Sequence, residues 1–168
     1  MTTKDEPRND NDRVNAVCVT YNSTSTIEEM MLGLDRQGPC LNSLVVMDNG
    51  SNDDTIERIR RFESTVSYPV HVIRGSNVGF ARGINAAGMS GILDPTLPIL
   101  VINPDLRLSD EVLGAMLTEL SRNPAAGIVT APLILDDGLP DTASVRSLPT
   151  LGASVIYSIL GKRTPKIE

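Results

Sequence analysis

Apolar and polar positions fall in blocks along this chain, and the blocks change period as they go. Residues 14–20, "VNAVCVT", are a short apolar run rich in β-branched side chains, which predicts a buried strand. In "STSTIEEMMLGLDRQG", Ile27, Met30, Met31 and Leu34 recur at helical spacing. Ser25 and Glu28 have the spacing of a capping box, and Gly38-Pro39 stops the helix. "SLVVM" (43–47) predicts a second strand. "DDTIERIRRFE" predicts a helix with Ser51 and Asp54 as its capping pair. "PVHVIR" (69–74) predicts a third strand, and "VGFARGINAAGM" (78–89) a helix of small residues. "LPILVI" (97–102) predicts a fourth strand. "SDEVLGAMLTELSRN" (109–123) predicts a helix capped by Ser109, with Val112, Leu113, Met116, Leu117 and Leu120 on one stripe. "AGIVTAPLIL" (126–135) predicts a fifth strand or strand pair.

This alternation of strands and helices predicts an α/β domain with a mostly parallel sheet flanked by helices. The strands are continuous apolar runs, as strands covered on both faces should be. After Leu135 the pattern fades into the turn-rich "DDGLPDTASVRSLPT" and then the short amphipathic "LGASVIYSILGKRTPKIE". Residues 1–13 are polar and charged from the start and predict a disordered leader.

The polar residues collect just after the strands. Thr20, Tyr21 and Asn22 follow the first; Asp48, Asn49, Gly50 and Ser51 the second; Asn77, Gly79 and Arg82 the third; Asn103, Pro104 and Asp105 the fourth. In a parallel sheet these positions share the carboxyl edge, where open α/β sheets bind ligands. Each has a plainer reading. Asp48-Asn49-Gly50 has turn chemistry, although a helical pattern follows it instead of a partner strand. Tyr21 suits either an ordinary surface position or stacking on a base. Asn77-x-Gly-x-x-Arg suits a helix start, where free N–H groups attract anions. Asn103-Pro104-Asp105 suits a turn. His71 lies within a strand pattern and reads as structural.

Composition narrows the classes. Hydrophobic residues make up 40% and aromatics 3%, with no Trp, so the core must be aliphatic. The net charge of −6 argues against a nucleic-acid partner. A phosphate-bearing ligand would therefore need a metal ion or backbone N–H groups. Cys18 and Cys40 lack metal-ligand spacing and fit a reduced, cytoplasmic setting. No apolar run approaches the roughly 20 residues of a membrane span. The first strand–helix turn, "TYNSTST", has no glycine, which excludes the dinucleotide fingerprint, and there is no P-loop. The single His inside a strand argues against a Ser-His-Asp hydrolase.

"VCVTYNS", "LVVMDNGSNDDT", "GSNVGFARGINAA" and "LVINPD", in this order, resemble the donor-binding N-terminal half of family-2 glycosyltransferases of the GT-A fold. The nearest branch is rhamnosyltransferase-like, where Asn-Pro-Asp stands for the usual Asp-x-Asp. The resemblance covers residues 14 to about 150. It implies an inverting transfer of a sugar, rhamnose above all, from a nucleoside-diphosphate donor (dTDP or UDP) to a cell-envelope polysaccharide or glycolipid acceptor. It implies that Thr20, Tyr21 and Asn22 flank the base and that Asp48 accepts from the base's imide N–H. Asn77, Gly79 and Arg82 would lie near the ribose, diphosphate or sugar, and Asn103 near the ribose or diphosphate. Asp105 would bind Mg²⁺ or Mn²⁺. It further implies a later acceptor half bearing a general base, for which this chain offers no candidate; Asp136, Asp137 and Asp141 come too early. Residues 151–168 are thus expected to be a stub of that half, and the alternative is a non-catalytic nucleotide-sugar-binding module or truncated remnant. Val155, Ile156, Ile159 and Leu160, followed by Lys162, Arg163 and Lys166, also raise the expectation of peripheral association with the inner face of a membrane.

Overall fold

The computed structural model describes residues 13–135, 137–141 and 144. The leader through residue 12, the stretch 146–150 and the amphipathic segment 151–168 lie outside the described residues, as does the expected boundary near 150. The chain divides into two compact units, Met1–Val129 and Thr130–Glu168.

The first unit holds the elements that matter for the site. They are β1 (Val14–Thr20), α1 (Ile27–Asp35), a 3-10 turn (Gly38–Cys40), β2 (Leu41–Asp48), α2 (Thr55–Phe62), β3 (Val70–Arg74), α3 (Phe80–Gly88), β4 (Ile99–Ile102) and α4 (Val112–Arg122). The four strands form one sheet in the order β3-β2-β1-β4, and every pairing is parallel. The chain winds from β1 through β2 to β3 on one side, then crosses to lay β4 on the other side of β1. The sheet's topological switch point therefore lies between β1 and β4.

The central strands β1 and β2 are buried on both faces, whereas Ile99 and Val101 of β4 stay about half exposed at 51% and 47%, and the two-residue period sorts the side chains. Ala16 and Cys18 of β1, Leu44 and Val46 of β2 and Ile102 of β4 enter one core cluster with Ile27, Met30, Met31 and Leu34 of α1, Ile56 and Ile59 of α2 and Leu113 of α4. Val17, Val19, Val45 and Met47 enter the other with Ala87 of α3. The α1 stripe is the one the spacing predicts, and all four of its apolar residues are fully buried. Truncating any of them to Ala should cost about 2–5 kcal/mol.

The helix ends are built differently from the expected capping boxes. The N-cap of α1 is Thr26, without a side-chain cap; the Ser23 carbonyl instead accepts the N–H groups of Thr26 and Ile27 at 3.1 Å each. Glu28 is drawn away from the helix start by Arg58, at 3.0 Å. At α2, Asp53 and not Ser51 serves the first turn, its Oδ1 accepting the Thr55 N–H at 3.1 Å. Ser109 does not cap α4. The buried Gln37 carboxamide does, accepting the Leu113 N–H at 3.1 Å and donating to the Gly33 and Ser109 carbonyls at 3.1 and 2.9 Å.

The run 126–135 forms no strand. Its one regular feature is an isolated antiparallel bridge between Ile134 and Pro140 in the second unit. Apolarity alone does not make a strand: the run needs a ladder partner for its N–H and C=O groups. Without one, Ile128 and Ile134 stay 84% and 59% exposed.

Candidate functional site

A cleft of about 480 Å³ opens at the carboxyl edge of the sheet. The loops after β1 and β4 supply most of its wall, so it sits at the switch point, where open α/β sheets take their ligands. Of the residues expected to form a site, Thr20, Tyr21, Asn22, Asn77, Asn103 and Asp105 line it, together with Asn49, Phe80 and Pro104. Four loops distant in sequence thus meet in one place.

Asp48, Gly79 and Arg82 do not line the cleft. Arg82 is exposed on the first turn of α3. Gly79 is the N-cap of that helix, with φ +85°. There the left-handed backbone favours glycine, and its N–H donates to Asn77 Oδ1 at 3.1 Å. Asp48 is fully buried. Its carboxylate accepts from the Thr20 hydroxyl at 3.2 Å, from the Ser51 N–H at 3.1 Å, and from the Ser51 hydroxyl. Asp48 is therefore held inside the fold by Thr20 and Ser51.

The reason is the strand period. Asp48 continues the parity of Leu44 and Val46 and turns toward the α1–α2 side. Asn49 continues the parity of Val45 and Met47 and turns toward α3, where its Oδ1 lies 3.6 Å from the point a Cβ on Gly83 would occupy. Asn49 is only 4% exposed, its N–H donates to the Thr20 carbonyl at 2.9 Å, and its Oδ1 is buried without a partner. Such an orphan costs about 1–3 kcal/mol, and native proteins pair the great majority of buried polar groups. A lone buried acceptor on a residue that lines a cleft is a group waiting for a donor.

The loops after β1 and β2 are laced together. The Ser51 hydroxyl accepts the Asn22 N–H at 2.9 Å, Asn22 Oδ1 accepts the Asn52 N–H at 2.9 Å, and Thr55 Oγ1 accepts the Ser23 N–H at 2.8 Å. Asp53 Oδ2 accepts the Thr24 N–H at 3.2 Å. Burial alone would raise the Asp53 pKa, but its hydrogen bonds with Thr24 and Thr55 outweigh it and bring the carboxyl to about 2. Gly50, with φ +85°, lets this loop pass the next one: a Cβ there would meet the Gly75 carbonyl at 3.2 Å.

The electrostatics are as informative as the shape. No Lys or Arg lines the cleft, and Asp105 is its one carboxylate among the described residues. Burial, with the Asp105 carboxylate adding to it, pushes the Cys18 thiol up to about 12, so that group is inert. No cluster of three or more His, Cys, Asp or Glu able to cage a metal exists among the described residues. Asp105 and Asn103, which both line the cleft, offer oxygen donors of the kind a hard cation takes. No helix among the described residues is long and apolar enough to cross a membrane.

Sheet, crossover and cleft together define an open parallel α/β domain with a cleft at its carboxyl edge. This chain belongs to glycosyl transferase family 2, whose profile matches residues 16–146. It is 28% identical over 161 residues to N-acetylglucosaminyl-diphospho-decaprenol L-rhamnosyltransferase of Mycobacterium tuberculosis, in strains CDC 1551 / Oshkosh and H37Rv. That alignment covers 89% of this chain and 50% of the relative, so the chain spans about half the length of these curated proteins. In fold it is similar to S. aureus TarS, at a TM-score of 0.54 and 19% identity over 67% of this chain and 20% of that one. The TarS 1-349 complex with UDP-GlcNAc gives a TM-score of 0.55 at 19% identity, over 67% of this chain and 32% of that one.

Sequence reasoning put Asn49 at the carboxyl edge without giving it a role, and missed Ser25 and Phe80, which also line the cleft. For Asn49 a signal existed: alternation along β2 already separates it from Asp48. Nothing local in the sequence marks Ser25 or Phe80.

Proposed function

We propose that this chain is the donor-binding part of an inverting glycosyltransferase. It would move a sugar, rhamnose by the likeness to its relatives, from a dTDP or UDP donor to a glycan or glycolipid acceptor. The observation that carries this reading is the convergence of Thr20, Tyr21, Asn22, Asn49, Asn77, Asn103 and Asp105 on one cleft. Tyr21 and Asn22 flank the base. Asn49, which lines the cleft where Asp48 does not, is the candidate partner for its imide N–H. Asn77 and Asn103 face the ribose and diphosphate.

A diphosphate entering this cleft meets a carboxylate and no basic side chain, so neutralisation must come from a cation. Asp105 and Asn103 would hold Mg²⁺ or Mn²⁺, and one carboxylate suffices because such ions take the rest of their shell from phosphate and water. When bound, the ion supplies Lewis-acid stabilisation of the departing diphosphate. The chain's own residues fix the donor's base and ribose, and so the direction in which its anomeric carbon faces the acceptor.

Inversion also needs a general base for the acceptor hydroxyl. Asp105 is committed to the cation in this reading, so the base comes from outside the described cleft. The relatives act on a decaprenol-linked substrate by name, which supports a lipid-linked acceptor.

The same single carboxylate supports a second reading, a nucleotide-sugar-binding module without turnover. Incubation with dTDP-rhamnose, Mn²⁺ and a lipid-linked glycan separates the two. Release of dTDP above the protein-free rate supports the enzyme. Donor binding without release supports the module, and no donor binding rejects both.

A further inference from the structure

We propose that Asp48 is a positioning residue that acts through Ser51 and Asn22 to aim the Tyr21 ring into the cleft. The inference rests on the nucleotide reading above and assigns the buried carboxylate a role that direct contact with ligand does not.

The chain of contacts is continuous. Asp48 is fully buried, and its Oδ1 takes the single proton of the Ser51 hydroxyl. The Ser51 N–H bonds to the same carboxylate, to Oδ2 at 3.1 Å. With its proton so committed, the Ser51 oxygen has only lone pairs left to offer, and one accepts the Asn22 N–H at 2.9 Å. A side chain without an acceptor in place of Asp48 would leave that hydroxyl free to rotate. The carboxylate therefore fixes which way Ser51 faces.

Asn22 needs holding. Its φ of +53° lies in the left-handed region, which Asn tolerates better than other non-glycine residues but still adopts uncommonly. Two bonds enforce it here, Ser51 Oγ on its N–H and Asn52 N–H on its Oδ1. On the other side of Tyr21, the Thr20 carbonyl accepts the Asn49 N–H at 2.9 Å and the Thr20 hydroxyl donates to Asp48. Both neighbours of Tyr21 are thus pinned to the β2 loop, and both bonding paths pass through Asp48 or the residue beside it. The Tyr21 side chain, 50% exposed, is left presenting its ring at the cleft wall. A ring held in this way stacks on a base at low entropic cost, because its backbone is already ordered.

The test is a double-mutant cycle read by calorimetry in Mn²⁺, with dTDP and inorganic pyrophosphate as separate probes. Ser51→Ala should weaken dTDP binding roughly tenfold and leave pyrophosphate binding unchanged. Ser51→Thr, which keeps the hydroxyl, should retain the affinity for dTDP. In a Tyr21→Ala background, Ser51→Ala should change dTDP binding less than about twofold, as coupled sites do. Additive losses in the cycle, or an equal loss for pyrophosphate, would overturn the inference while leaving the nucleotide reading intact. Failure of the unsubstituted chain to bind dTDP would overturn the nucleotide reading and this inference with it.

Discussion

Thr20 and Asp48 end neighbouring parallel strands as register partners, and the Thr20 hydroxyl donates to Asp48 Oδ1 at 3.2 Å. The carboxylate is out of reach of water, so this donor is not replaceable by solvent. Thr20→Val keeps the shape and removes the donor. It should destabilise the fold by about 1–3 kcal/mol, seen as a lower urea midpoint with an unchanged slope. Thr20→Ser should recover most of that loss.

Asn49 should behave in the opposite sense. Its Oδ1 is buried and unpartnered, a cost that only a ligand removes. Asn49→Ala is therefore expected to leave stability unchanged or raise it by up to about 1 kcal/mol, while dTDP affinity falls about tenfold. Thermal unfolding and calorimetry on the same sample check both halves. A variant that lost stability and kept its affinity would mark Asn49 as purely structural.

Asp53 sets an acid limit. Its folded pKa of about 2 lies below the roughly 3.9 of an unfolded aspartate. A depressed carboxyl contributes stability that is fully present above the unfolded value and is lost as pH falls toward the folded one. Stability should therefore decline between about pH 4 and pH 2 with a component that Asp53→Asn removes. Denaturant unfolding at a series of pH values gives the slopes, and the variant's should be shallower across that window. The side chain is partly exposed, so solvent screening keeps the difference small.

The two cysteines should separate cleanly. Cys18 is fully buried with its thiol pushed up to about 12, whereas Cys40 is only partly buried. At pH 8 a thiol reagent should modify Cys40 in the native protein and reach Cys18 only on unfolding. Counting modified thiols with and without denaturant reads this directly.

Most of the sheet was legible in the sequence because apolar runs and helical spacing report burial. Val14–Thr20 and the α1 stripe of Ile27, Met30, Met31 and Leu34 are found where the pattern puts them. The 126–135 run failed because apolarity does not say whether a ladder partner exists. The caps failed for a related reason. Gln37 serves α4 from 76 residues away, which no local spacing reveals, and Ser51 is taken by Asp48 on the strand side of the loop instead of by the helix. In the cleft, strand ends gave the correct edge, and family likeness gave the loops. What neither gave was the difference between Asp48 and Asn49, a matter of one step in a two-residue period. Arg82, expected near the donor, stands outside the lining because α3 begins at Phe80, which places that side chain on an exposed flank.

The central claim is that a cleft without basic side chains among the described residues holds a nucleoside diphosphate through a cation on Asp105. Calorimetric titration of dTDP and UDP into the chain, with Mn²⁺ and then with EDTA, tests it on the native protein and on Asp105→Ala. The account predicts binding in Mn²⁺, a loss of at least about tenfold in EDTA, and the same loss in the variant with metal present. Asp105 is exposed, so the variant should unfold within about 0.5 kcal/mol of the native chain. Binding that is equally tight with and without metal, and with and without the Asp105 carboxylate, would contradict it.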